Sequence, residues 1–390
     1  MIPQRELAAL RAEWSLDQNV IEKDYVLGWL LSGIAENPEL SRTWVFKGGT
    51  CLRKCYYETY RFSEDLDFTI ADGGPEEPED LLPIFSDIAT WVRDASGIEL
   101  VIDDRSFKRA RNKRGIPTTL GRVAYRGPNG SPTMPKVKLD LTSDELLVAP
   151  AVLRPIGHPY SDELPQPRVL SYSIAELFGE KLRALAERCR PRDLYDVVHL
   201  HRHPDLIGRA GPVREALERK CEHAGIEVPS ADSIRSSPFR TEIETEWENM
   251  LGHQLPRPLV PFMAFWETLD DVFSWLNGSA TGRQLPRASL GQVSTWEAPR
   301  AITSWRQRFP LELLRYAGAN RLKVEIDYRA VQGRQGPRLV EPYSLRRTAE
   351  GNLVLFVVND HGQLRSYRVD HIAAIRPTTF TFTPRFRVEF

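Results

Sequence analysis

At 390 residues the chain predicts two or three domains, taking roughly 100–200 residues for each. Hydrophobic residues make up 41% and charged residues 27%, and 52 Lys plus Arg against 53 Asp plus Glu leave a net charge of −1. That composition excludes a disordered solvating tail and a protein that coats nucleic acid by bulk charge, so any basic surface must be local.

The chain opens on a helical pattern. Ser15 followed by Gln18 reads as a capping box, and Val20, Ile21, Tyr25, Leu27, Leu30 and Leu31 recur at helical spacing up to Pro38. The first residues carry charge where a secretory signal is apolar. The longest greasy stretch, 25–35, is shorter than the roughly 18 residues of a membrane span. A cytoplasmic setting with no membrane partner is the expectation. The four cysteines, Cys51, Cys55, Cys189 and Cys221, are too few and scattered for a disulfide framework or a zinc knuckle.

Next come a strand at Trp44-Val45-Phe46, a glycine turn and a helix over 51–57. A strand over 66–70 follows, then an acidic loop (73–80) and an amphipathic helix (81–95). Strands are expected over 98–103, 119–125 and 134–142, the last two split by Gly127-Pro128-Asn129-Gly130. Residues 174–201 return to helix, broken at Arg190-Pro191, and helices dominate to about 277. The Trp and Phe residues between Trp247 and Trp275 read as the core of that lobe. A linker over 278–309 leads to a short helix and a strand-rich module. The expected domains are therefore 1–170, 171–277 and 310–390, with 278–309 between the last two.

The densest chemistry lies between Phe46 and Thr69. Gly48, Gly49 and Thr50 form a turn that opens a helix, where backbone N–H groups can hold phosphate. Asp65 and Asp67 are one residue apart, so on a strand both project from one face. Paired carboxylates suit a hard divalent cation that also takes triphosphate oxygens, and Asp140, on an alternating strand, offers a third. Asp65-Leu66-Asp67-Phe68-Thr69 also matches the nucleophile motif of haloacid-dehalogenase-type phosphatases. There, however, apolar residues precede the first aspartate; here Arg61-Phe62-Ser63-Glu64 do, and that reading loses.

The motifs Glu22-Lys23-Asp24-Tyr25, Lys47-Gly48-Gly49-Thr50, Arg61-Phe62-Ser63-Glu64-Asp65-Leu66-Asp67-Phe68, Lys138-Leu139-Asp140, and Glu180-Lys181 through Arg192-Asp193-Leu194-Tyr195-Asp196 occur in this order over about 15–205. Together they resemble the AbiEii toxin family, which includes the mycobacterial MenT toxins. The resemblance implies an α+β fold: a polymerase-β-like nucleotidyltransferase core with a helical lobe. It implies transfer of nucleotides from an NTP to RNA, at the 3′ end of tRNA, in a toxin–antitoxin or anti-phage system with a cognate antitoxin. Asp65, Asp67 and Asp140 would match the family's ligands for magnesium or manganese. Lys181 and Asp196 would match its catalytic lysine and late aspartate. Gly48, Gly49, Thr50, Arg61, Ser63 and Lys181 are the expected nucleotide contacts. The other class of function is a ligand-sensing defence regulator whose domain binds nucleotides without transferring them.

Between Arg105 and Arg126 the chain carries eight cations and no acid. Lys108, Arg109, Arg111, Lys113 and Arg114 are the candidate RNA contacts. His199, His201 and His203 point to different helix faces, and a solvated helix end is expected there rather than a metal site. Ile326-Asp327-Tyr328, Arg338-Leu339-Val340-Glu341-Pro342 and Arg365 through Ile372 resemble a WYL domain, although Leu353-Val354-Leu355 stands near the place of its eponymous triplet. That resemblance implies a small Sm-like β-barrel with a nucleic-acid or nucleotide ligand. Arg338, Arg365 and Arg368 are its candidate anion contacts.

Overall fold

A computed structural model describes residues 1–57, 61–112, 115–165, 168–279, 285–290, 311–329, 336–348 and 350–390. The chain begins with α1 (Gln4–Trp14), α2 (Gln18–Glu36) and α3 (Leu40–Thr43). Ser15 is not the cap expected from its spacing to Gln18. It ends α1 in the left-handed conformation (φ 52°), and Asp17 caps α2 by accepting the Asn19 N–H. The first helix consumes Ser15 as its own terminus, so the next carboxylate takes over.

Next come β1 (Trp44–Lys47), α4 (Gly48–Cys51) running into a π-helical turn (Leu52–Tyr56), β2 (Asp65–Ile70) and α5 (Pro78–Ser96). Strands β3 (Glu99–Val101), β4 (Phe107–Arg111), β5 (Pro117–Arg126), β6 (Lys136–Thr142), β7 (Val152–Pro155) and β8 (Arg168–Ser171) complete the first unit. They form one sheet in the order β3-β5-β6-β2-β1-β8-β7, with β4 paired to β5. Along β6, Val137, Leu139 and Leu141 are buried while Lys136, Lys138 and Asp140 are exposed. The buried face packs with Phe46, Leu66 and Phe68 into the core, where Phe85 and Val92 of α5 meet Leu30 and Ile34 of α2. The opposite face carries the polar residues of β2, β5 and β6.

The helical lobe contains α6 (Ile174–Arg188), α7 (Pro191–His201), α8 (Ala210–Ala224), α9 (Ala231–Arg235), α10 (Arg240–Thr245), α11 (Trp247–Leu251), α12 (Phe262–Trp266) and α13 (Leu269–Leu276). Pro191 starts α7, where its missing N–H leaves nothing unpaired. Trp247, Phe262, Phe265, Trp266, Phe273 and Trp275 are all buried, as expected. The histidines differ from expectation. His199 is buried, stacked on Tyr195 with ring centroids 4.3 Å apart; His201 meets the edge of Trp275, and His203 that of Tyr57. Aromatic side chains distant in sequence cover His199 fully and His201 and His203 in part, so this helix end is only partly exposed.

The C-terminal module comprises α14 (Leu311–Ala319), β9 (Leu322–Tyr328), β10 (Gly336–Arg347), β11 (Leu353–Asn359), β12 (Leu364–Arg368) and β13 (Ile372–Thr381). Its five antiparallel strands run β12-β11-β10-β9-β13. Among the described residues the end strands β12 and β13 do not pair, so the sheet is open rather than a closed barrel. Most of the expected linker lies outside the described residues. Its 285–290 portion packs on this sheet: Arg287 bonds Glu389 (2.6 Å), and Ala288 is buried with Tyr343 and Phe356. The module also docks on the helical lobe. The Tyr316 hydroxyl donates to the Pro258 carbonyl (2.9 Å), and His199 Nε2 meets Asn320 Oδ1 (3.1 Å).

Candidate active site

The site is built on the β1–β2 hairpin and its glycine turn. Gly48 has φ +80°, a conformation that disfavours any residue with a Cβ. A Cβ there would sit 2.2 Å from Asp67 Oδ2, and one on Gly49 would sit 2.5 Å from Arg61 Nη2 and 3.1 Å from Ser63 Oγ. The turn therefore presses directly onto Asp67 and onto the wall formed by Arg61 and Ser63. The Thr50 hydroxyl donates to the Asp65 carbonyl (2.5 Å), which ties the start of the helix to the start of β2.

Strands β2 and β6 are parallel, with Asp65 beside Lys138 and Asp67 beside Asp140. Alternation places Asp65, Asp67 and Asp140 on the same face of the sheet. Burial pushes the Asp67 carboxyl up to about 6; Asp140 and Asp65 also raise it, while Lys47 and Lys181 oppose the shift. Asp65 Oδ1 is buried without a hydrogen-bond partner, and Lys138 Nζ is 3.9 Å away. Asp140 is exposed and accepts from the Thr118 hydroxyl (3.1 Å). Among the described residues no group of three His, Cys, Asp or Glu side chains stands ready as a metal cage. The donor set fits a hard divalent ion: three carboxylates on one face, one with an unused buried oxygen and one raised to about 6 chiefly by burial.

Beside the carboxylates lies a buried ionic cluster. Asp196 receives a two-pronged bond from Arg61 (2.6 and 2.7 Å) and an ion pair from Lys181 (2.7 Å). Burial alone would raise the Asp196 carboxyl, but Arg61 and Lys181 hold it well below the usual carboxylate range. Arg61 is 2% exposed and also bonds Gln254 Oε1 (3.1 Å). It thus braces the wall of the cleft rather than lining its opening. Arg188 grips Asp193 with two bonds of 2.7 Å while its side chain stays 45% exposed. Burial would lower the Arg188 guanidinium; Asp193 outweighs that, with smaller contributions from Asp67 and Glu180.

Sequence reasoning assigned no role to Lys47 or Arg188. Lys47 ends β1 opposite Asp67 and is ion-paired with Glu145, whose carboxyl it draws down to about 2 against burial. Its place in the Lys-Gly-Gly-Thr motif was a usable signal. Arg188 lies seven residues after Lys181, on the same face of α6 two turns later. The expected RNA contacts divide. Lys108 is exposed and shares a face with Leu120 and Asp140 through strand pairing, whereas Arg109 is held by Glu76 (3.5 Å) and Glu77 (3.0 Å) and Arg111 bonds the Gly115 carbonyl. Lys113 and Arg114 lie outside the described residues. In the C-terminal sheet, Arg338 sits 5.0 and 5.1 Å from the rings of Tyr328 and Tyr367, Arg368 grips Asp370, and Arg365 bonds Gln363.

No helix among the described residues is long and apolar enough to cross a membrane. A search of curated proteins gives no match. Among solved structures, the chain is similar to MenT4, a nucleotidyltransferase toxin from Mycobacterium tuberculosis H37Rv. The identity is 21% and the TM-score 0.47, over 71% of this chain and 90% of that one. It is also similar to proteasome accessory factor B/C of Arthrobacter aurescens at 12% identity and a TM-score of 0.19, over 92% of this chain and 71% of that one. The family model for the nucleotidyl transferase AbiEii toxin of type IV toxin–antitoxin systems matches residues 29–273, and the WYL domain model matches 311–377. With the first match spanning more than half its length, including the glycine turn, all three strand carboxylates and the Asp196 cluster, the chain belongs to the AbiEii family of nucleotidyltransferase toxins and carries a C-terminal WYL domain.

Proposed function

We propose that the chain is a metal-dependent nucleotidyltransferase that moves nucleotides from an NTP to an RNA acceptor, the 3′ end of tRNA. It would act in the cytoplasm as the toxic partner of a cognate antitoxin, in a toxin–antitoxin or anti-phage system. The observation that carries this reading is the register of β2 against β6, which sets Asp67 beside Asp140 with Asp65 on the same face, next to the Gly48–Gly49 turn. Asp65, Asp67 and Asp140 would hold magnesium or manganese, which when bound stabilises charge on the triphosphate. Asp140, exposed and steadied by Thr118, orients the RNA hydroxyl and takes its proton. Gly48, Gly49 and Thr50 offer backbone N–H groups to phosphate, with Ser63 and Arg61 behind them. Lys181, aimed by Asp196 between itself and Arg61, neutralises charge on the departing pyrophosphate.

The finer fold reading that goes with this is a polymerase-β-like core over 1–170, a helical lobe over 171–277 and a separate sheet module over 310–390. On that module, Arg338, Arg365 and Arg368 would meet a nucleic-acid or nucleotide ligand. The test is incubation with labelled triphosphates, magnesium and total RNA. Label should enter RNA and disappear with Asp67→Ala; triphosphate binding without transfer to any acceptor overturns the reading.

A further inference from the structure

The open face of the large sheet carries cations as well as carboxylates. Strand pairing sets Lys138 beside Arg122, Asp140 beside Leu120, and Leu120 beside Lys108. Side chains directly opposite one another share a face, so these residues and Lys136 lie on the same surface as the acidic trio. Along β6, Lys136, Lys138 and Asp140 alternate outward, leading toward the carboxylates. At the far end of this row a groove of about 440 Å³ is lined by Arg105, Arg122 and Lys136, with Asp103 the one acid in its wall. Asp103 is occupied by its own loop, accepting from the Arg105 N–H and the Ser106 hydroxyl. Arg105, Arg122, Lys136 and Lys108 are exposed, and none is among the ion pairs of the described residues. Nearby cations off this row are committed: Arg109 to Glu76 and Glu77, and Arg126 to Glu99 at 3.8 Å.

We infer that this groove binds the phosphodiester backbone of a single-stranded RNA acceptor, a few nucleotides upstream of its reacting 3′ hydroxyl. The inference rests on the nucleotidyl-transfer reading and extends it to how the acceptor is held. Lys136 is four residues from Asp140, about 13 Å at a strand rise of about 3.3 Å per residue. A strand with its terminal hydroxyl at Asp140 therefore passes Lys138 and Arg122 and reaches the groove. The contacts are cationic and carry no base-edge readout, so binding depends on charge and salt rather than on sequence.

The test is binding of the full chain to a fluorescein-labelled single-stranded RNA across a salt series, without triphosphate. The triple variant Arg105→Ala, Arg122→Ala, Lys136→Ala should bind at least tenfold more weakly. The slope of log affinity against log salt should flatten by about 2, at roughly 0.7 per lost single-strand contact. Arg219→Ala, an exposed cation on α8 of the helical lobe, should bind as wild type, and Arg122→Lys should retain more affinity than Arg122→Glu because a point charge suffices for phosphate. Thermal melts read alongside separate unfolding from lost contact, and the single Arg122→Glu serves if the triple variant melts early. Unchanged affinity and slope in the triple variant overturn the groove, even if the wild type labels RNA. Conversely, lost binding in a system where no transfer occurs supports the groove and refutes the transfer reading alone.

Discussion

At the scale of single residues, the site balances repulsion against pairing. Asp67 carries a cost because its carboxyl, pushed up to about 6, is charged at neutral pH in a place that disfavours charge. A raised folded-state carboxyl weakens folding once the pH exceeds the unfolded value, with the full effect reached above pH 6. Asp67→Asn should therefore abolish transfer in magnesium, yet in chelator stabilise the protein above pH 6, by up to about 3 kcal/mol, with no gain below pH 4. Urea midpoints across pH check this, and a variant less stable than wild type at pH 7.5 contradicts it. Asp196 is the opposite case, since its charge satisfies two buried cations. Asp196→Asn should destabilise by about 3–5 kcal/mol, because Arg61 and Lys181 lose their shared partner, and should cost activity as well. Denaturant titration and label transfer together test it; loss of activity with unchanged stability contradicts the bracing role. The carboxylate pair was legible in the sequence because spacing of two fixes a shared face on any strand. Arg188 was not, since its significance depends on how α6 lies over Asp67.

At the scale of elements, α7 is the most heavily used helix. One turn holds Asp193 and Asp196 in the ionic cluster, and the next places His199 against Tyr195 and Asn320. Burial pushes the His199 imidazole down to about 3. A histidine kept neutral in the fold supports stability above its unfolded value near 6.5, and that support is lost as the pH falls toward 3. Between pH 7.5 and 5.5 His199 should account for about 1.4 kcal/mol of lost stability. His199→Gln should flatten that portion of the urea-midpoint profile; an unchanged profile would show that the ring is not neutral in the fold. The helices of this region were readable from their periodicity and from Pro191. The covering of the histidines was not, because it comes from Phe265, Trp275 and Tyr57, distant in sequence. Likewise β4 was hidden inside the basic run: Lys108, Arg109 and Arg111 give no apolar alternation, and the strand forms because β5 offers it a ladder.

At the scale of the whole molecule, the C-terminal module is fastened to the toxin-family region. Tyr316 bonds the Pro258 carbonyl, Asn320 meets His199, and α14 touches α1. Calorimetry of the full chain should give one cooperative transition, and Tyr316→Phe should lower stability by about 1–2 kcal/mol by leaving a carbonyl unpaired. Two independent transitions would contradict such coupling. The two regions could be told apart in the sequence by the proline- and glycine-bearing stretch between them. Their contact could not, because Tyr316 and Asn320 meet single polar atoms of the 254–260 loop and α7 that no periodicity marks, and the apolar residues of α14 join a core assembled from segments far away in sequence. One consequence concerns inheritance. Since a single helix braces the ionic cluster of the candidate site on one turn and the appended sheet's anchor on the next, the two halves are not interchangeable cassettes. A recombinant that swapped in a foreign C-terminal half at the linker would also have to match the partners of His199 and Pro258, or lose the seam between them.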